Sequence, residues 1–182
     1  MERVVLDTNT LISGLLWDGK ESTVIEKAEN HAIKLFLSHQ LLAELEGVLK
    51  RDKFSKKLEN KEYTVEKALA KIALIATLIE PNIKIDVVKE DPDDNRVLEC
   101  AVSAEATVIV SGDSHLLNLK NYAGIDILST TDFINQISGQ KENMQNQLRP
   151  HRTGQQGDHQ NKTIQKCPKQ NPLHLHADVP RS

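Results

Sequence analysis

Aromatic residues make up only 3% of this 182-residue chain. Whatever core it builds must therefore be aliphatic, assembled from Leu, Ile, Val and Ala. Cysteine is scarce too: Cys100 and Cys167 stand far apart in unlike surroundings, which excludes a disulfide framework or a Cys-based zinc site. Cys100 falls in a helical apolar pattern and reads as a small buried residue. No apolar run approaches the length of a membrane span. The chain also enters its first strand without an apolar leader, so the expectation is a cytoplasmic protein with no membrane partner. A glycine-rich phosphate loop ending in Lys-Ser/Thr is missing, and no Ser-His-Asp order can be picked out. There is no internal repeat.

What is present divides unevenly. Residues 1–138 hold almost all the aliphatic runs and carry sixteen Lys and Arg against 23 Asp and Glu, a net of −7. Residues 139–182 carry seven against three, a net of +4, in a setting of Gln, Asn, Lys, His and Pro. The first part is long enough to bury a core without staples. The second cannot, and is expected to be a disordered tail or to order only on a partner. An acidic body argues against nucleic-acid binding by overall charge, but leaves room for a local basic patch or a metal ion that reverses the field.

Along the body, strands and helices alternate. Val4 to Leu6 is an apolar run that ends on Asp7, followed by a helix or turn from Leu11 to Leu16. Helical spacing covers 21–32, and Lys34 to Leu37 reads as a strand. Ser38 would then cap a helix over 40–51. A basic cluster follows (Lys50, Arg51, Lys53, Lys56, Lys57), with Phe54 inside it. It reads either as a solvated helix end or as a phosphate contact. The pattern predicts a long helix over 63–79, an edge strand over 83–88 and a helix over 96–106 with Asp91 as its N-cap. A strand over 107–110, a short helix over 114–119, a strand over 125–128 and a helix over 131–137 complete the series. Such alternation implies a mostly parallel sheet with helices on both faces.

The acidic residues carry the chemistry. Asp7 and Asp113 each end an apolar strand, and parallel strand ends share one rim, where ligands bind in open α/β sheets. Asp7 alone reads equally well as a helix cap. Asp94 stands three, four and seven residues before Val97, Leu98 and Ala101, in the middle of an apolar helix face, whereas Asp93 and Glu99 lean toward solvent. Glu44 and Glu46 flank the apolar face of the 40–51 helix almost symmetrically, and spacing does not choose between them. Carboxylates gathered at one rim repel unless a cation sits among them. They form a hard-oxygen site for Mg²⁺ or Mn²⁺, ions that bind phosphate oxygens and activate water. His31 and His39 have no evident partner, and His115 beside Asp113 reads as a surface residue in preference to a support for the site.

Four stretches together, VVLDTNTLISGLLW, SHQLLAELEGVLKRDKF, EDPDDNRVLECAVSAEATVIVSGDSHLLNL and IDILSTTDFI, resemble the PIN-domain nucleases over residues 3–134, in particular their toxin-like bacterial and archaeal members. The resemblance implies a three-layer α/β/α sandwich around a mostly parallel sheet, over residues 1–138, and RNA cleavage at an acidic quartet holding Mg²⁺ or Mn²⁺. Matched residue by residue, the quartet falls on Asp7, Glu44, Asp94 and Asp113, which selects Glu44 over Glu46. Asn9 and Ser111 match supporting polar positions, and Asp91 stands as a further ligand. The implied activity is that of a toxin in a toxin–antitoxin pair, with an RNA substrate, a small antitoxin protein as partner, a homodimeric state, and RNA contacts at Lys50–Lys57. The 139–182 extension departs from the family pattern. Competing readings are an inactive RNA- or protein-binding module on the same fold, or an aspartate-nucleophile phosphotransfer domain. The latter wants an aspartate where Asn9 stands.

Overall fold

A computed structural model describes residues 1–59 and 63–147, the last eight of them by backbone alone. Its centre is a six-stranded sheet built from β1 (Arg3–Leu6), β2 (Lys34–Ser38), β3 (Ala76–Ile79), β4 (Val108–Val110), β5 (Asn121–Tyr122) and β6 (Ile125–Leu128). The order across the sheet is β3-β2-β1-β4-β6-β5, parallel throughout except for the short β5 against β6. Among the described residues, eight helices surround it: α1 (Thr8–Leu16), α2 (Lys20–Glu29), α3 (His39–Leu49), α4 (Asp52–Glu59), α5 (Val65–Ile75), α6 (Asp94–Ser103), α7 (Ser114–Leu119) and α8 (Thr130–Gln147). This is the α/β/α sandwich expected from the alternation of elements.

Central strands of Val, Ile and Leu with no polar face are what two covering layers of helix require. Val4, Val5, Leu35, Leu37, Ile109 and Val110 are all sealed from solvent. The aromatic shortage shows in the same place: Phe36 and Phe133 are buried, and otherwise the core is aliphatic. Cys100 is part of it, and desolvation pushes its thiol up to about 12, so it is an inert packing group.

Register decides what meets at the carboxyl ends of the strands. Val4 pairs with Val108 and Leu6 with Val110, so the next residues on each strand, Asp7 and Ser111, emerge side by side. The Asp7 amide closes the ladder on the Val110 carbonyl at 3.2 Å. Close crossing of the first two helices fixes α1 above this rim. A methyl group added at Gly14 would come within 2.6 Å of the Ile25 side chain and 2.8 Å of the Glu21 carbonyl oxygen, so only glycine fits there.

Four expectations are corrected. The helix expected over 63–79 ends at Ile75, and Ala76–Ile79 turns into the edge strand beside β2. Residues 83–88, expected to be that edge strand, make no strand ladder. Their backbone is held instead by side chains of α6: Glu99 accepts the Ile85 amide, and Asn95 accepts the amides of Val87 and Val88 while donating to the Val88 carbonyl. Glu99 is consequently buried, 3% exposed, rather than turned to solvent. The last helix, expected over 131–137, runs on to Gln147, past the point where the polar tail was expected to begin; residues 148–182 lie outside those described.

Candidate active site

Asp7 is both a cap and a rim carboxylate. One oxygen accepts the Thr10 amide at the start of α1, and the other accepts the Ser111 hydroxyl and the Gly112 amide at 3.2 Å. Three donors, one from the start of α1 and two from the end of β4, thus fix a residue only 4% exposed. Ser111, fully buried, in turn accepts the Asp113 amide at 2.9 Å. Asp113 caps α7 by accepting the His115 amide at 2.7 Å.

That cap folds the His115 side chain back over the rim. Its Nδ1 lies 3.4 Å from Asp113 Oδ1 and 3.6 Å from Asp94 Oδ2. The ring is partly exposed, as expected, but its working nitrogen is not. His115 Nδ1 and Asp94 Oδ2 are both buried without a hydrogen-bond partner. Asp94 comes from the first turn of α6, oriented inward as its spacing predicted, with its side chain 13% exposed. Its carboxyl is pushed up to about 6, first by desolvation and then by the charges of Asp113, Asp91 and Asp7, with His115 acting the other way. The local fold explains the approach of Asp91: its carboxylate accepts the Asp93 amide at 3.1 Å and its carbonyl accepts the Asp94 amide, a tight turn that brings Asp91 beside the helix start. Asp91 is thus not the N-cap expected of it, because α6 begins only at Asp94.

Glu44 reaches the same region from α3, half-buried. Burial raises its pKa, and the charges of Asp93 and Asp7 add to the rise. Arg96 opposes it, as does the Thr8 hydroxyl, although Thr8 Oγ1 makes no regular hydrogen bond. Glu46, the rival by spacing, instead binds Lys50 at 2.6 Å on the surface. Asn9 is exposed beside the rim, where it lines a cleft of about 170 Å³ with Thr10, Ser13, Glu21, Gly112, Asp113 and Thr130.

Among the described residues, one group brings three metal-binding side chains together: ligand atoms of Asp91, Asp94 and His115 all lie within 4.8 Å of one another. An oxygen-rich set with one imidazole, in which Asp94 Oδ2 and His115 Nδ1 are buried without a hydrogen bond, suits a divalent cation. Sequence reasoning favoured the surface for His115 over a supporting role and did not count it among the ligands. The signal was there, since an imidazole two residues after a capping aspartate stands in the first turn of its helix, at the same strand end.

A family model described as the PIN domain matches residues 3–115, well over half of the chain. The chain belongs to the PIN-domain family. No curated protein matches it closely enough to add to that. PIN domains are as a rule nucleases that use divalent metal and bind RNA, which makes this PIN domain a hydrolase at that coarse level. The orphaned Asp94 and His115 atoms show that the residues here fit such an ion. Lys50, Arg51, Lys53, Lys56 and Lys57 fall at the α3–α4 junction and along α4. No helix among the described residues is long and apolar enough to cross a membrane.

Proposed function

We propose that this PIN domain is a metal-dependent endoribonuclease and the toxin of a toxin–antitoxin pair. The observation that carries the nuclease reading is the buried pair of Asp94 Oδ2 and His115 Nδ1, neither with a hydrogen bond, set among carboxylates whose charges push the Asp94 carboxyl up. Such a cluster is poorly stable until a cation enters it. Asp94 and Asp113 are the central metal ligands, with Asp91 and His115 beside them and with Asp7 and Glu44 completing the acidic set. An imidazole nitrogen in the set favours Mn²⁺ over Mg²⁺. When bound, the metal polarises the scissile phosphate and supplies a hydroxide-like water.

The chain's own residues do the rest. Ser111 and the Gly112 amide hold Asp7 in one orientation, so its charge is preorganised before substrate arrives. Asn9, at the mouth of the cleft, is placed to donate to a phosphate or ribose oxygen of the strand. The basic cluster at Lys50–Lys57 binds the RNA backbone. As a toxin the domain would be held silent by a small antitoxin protein that covers the acidic rim, and it would act as a homodimer.

The test is cleavage of a single-stranded RNA by the purified chain with Mn²⁺ or Mg²⁺. We expect cleavage that EDTA abolishes and that Asp94→Asn reduces by at least about a hundredfold. Undiminished cleavage by that variant would overturn the reading. Growth arrest on expression in a bacterial host, relieved by the gene beside it, tests the toxin part.

A further inference from the structure

The chain has one tryptophan, and its aliphatic core does not use it. Trp17 caps the end of α1 with 43% of its surface exposed. A lone exposed aromatic would need no explanation. This one is built into an arrangement. Phe54 of α4 meets it edge to face, with ring centroids 6.5 Å apart and planes at 89°. Lys57 places its Nζ over the Trp17 ring at 5.5 Å, and Lys53 does the same over Phe54 at 5.5 Å. Rings from two elements fix each other's orientation. Two ammonium groups at these rings supply positive charge for the phosphates on either side of a base that lies on the exposed part of the indole.

We propose that Trp17, braced by Phe54 and flanked by Lys53 and Lys57, is a stacking platform for a base of single-stranded RNA. The proposal rests on the ribonuclease reading above and specifies the substrate class. The charge is complementary: in a body of net −7, five of the sixteen cations fall between Lys50 and Lys57. Lys50 is engaged by Glu46, which leaves Lys53 and Lys57 as the cations over the rings. An aromatic face beside cations suits a base attached to a phosphate better than it suits an acidic peptide, which offers charge without a flat ring. Double-stranded RNA offers no free base faces, so stacking selects a single strand. The platform is also correctly spaced. Asp7 and Trp17 cap the two ends of α1, ten residues apart, which at helical rise is about 15 Å. A short oligonucleotide spans that distance.

Because Trp17 is the sole tryptophan, its fluorescence reports on the platform alone. The full chain in EDTA is titrated with an unlabelled single-stranded RNA of about ten nucleotides. Saturable quenching is expected, with little from a duplex of the same sequence and none from an abasic strand or from poly-glutamate. Polarisation of a labelled strand should show Trp17→Leu weakening binding roughly 5- to 150-fold, with Trp17→Phe restoring most of it. Lys53→Ala with Lys57→Ala should lower the salt dependence of binding by about two charges. RNA that is bound and then cut with Mn²⁺, while Trp17 emission stays unchanged, would overturn this inference and leave the ribonuclease reading standing. Quenching without any metal-dependent cleavage would support the platform and overturn that reading. Equal quenching by poly-glutamate would assign the patch to an acidic protein and overturn the inference.

Discussion

Asp94 concentrates the electrostatic strain of the molecule. Its carboxyl titrates near 6 in the folded chain, against about 3.8 when free, because burial and three neighbouring carboxylates oppose its charge. The sign of the consequence follows from proton counting. Below about pH 4 both folded and unfolded states carry the proton, and Asp94 costs nothing. Between about 4 and 6 the folded state holds more protons, so stability falls as pH rises; above 6 the penalty is complete. In EDTA, chemical denaturation from pH 4 to 8 should show this fall, and Asp94→Asn should remove it, gaining about 1–2 kcal/mol at pH 8. A variant less stable than the parent at pH 8 would mean the carboxylate is needed for packing. The position of Asp94 was legible in its spacing from Val97, Leu98 and Ala101, since a helix has one periodicity to read. The place of His115 was not, because its buried Nδ1 is set by a cap geometry that carries the side chain from the end of β4 toward the start of α6. Glu44 and Glu46 were symmetric by spacing, and only tertiary packing separates the half-buried glutamate from the one bound to Lys50.

The same limit governed the segments. Val87 and Val88 lie in a stretch with strand-like alternation, yet their amides are taken by one asparagine side chain on α6. Asn95→Ala would leave those amides and the Val88 carbonyl without partners, at a cost of about 2–3 kcal/mol. Hydrogen exchange should show Val87 and Val88 losing protection while β1 and β4 keep theirs. Exchange that is unchanged at those two amides would show that the segment is held by its apolar side chains instead. Alternation suggested a strand over 83–88; it carries no information on whether a strand or a side chain supplies the acceptors. Likewise Ala76 to Ile79 continues the helical apolar pattern of α5, and it is strand pairing with β2, a long-range contact, that converts it. The buried central strands were legible because runs of Val, Ile and Leu sealed on both faces have few other places to go. A second element test lies at the crossing of α1 over α2: Gly14→Ala would force Ile25 and the Glu21 backbone apart and should cost about 1–3 kcal/mol in thermal or chemical unfolding.

Taken whole, the PIN domain couples its fold to its site through repulsion. Its sheet register delivers Asp7, Ser111 and Asp113 to one rim, α6 adds Asp94, and the turn before α6 adds Asp91. Nothing in that geometry relaxes when charge is added, since Asp7 is fixed by three donors and Asp94 is held in the first turn of a packed helix. A cation that enters therefore stabilises the folded state without binding the unfolded one, and the gain follows mass action, about 2.7 kcal/mol at a hundred times the dissociation constant. For a domain of this size that is a rise in Tm of roughly 8 °C. Calorimetry with Mn²⁺ should show it, with a smaller rise for Mg²⁺ at equal concentration, because only Mn²⁺ gains from the His115 nitrogen. His115→Ala should bring the Mn²⁺ shift down to that of Mg²⁺, and Asp94→Asn should abolish both. If Asp94→Asn kept the full shift, the ion would have to bind elsewhere, and the rim would be acidic for some reason other than metal.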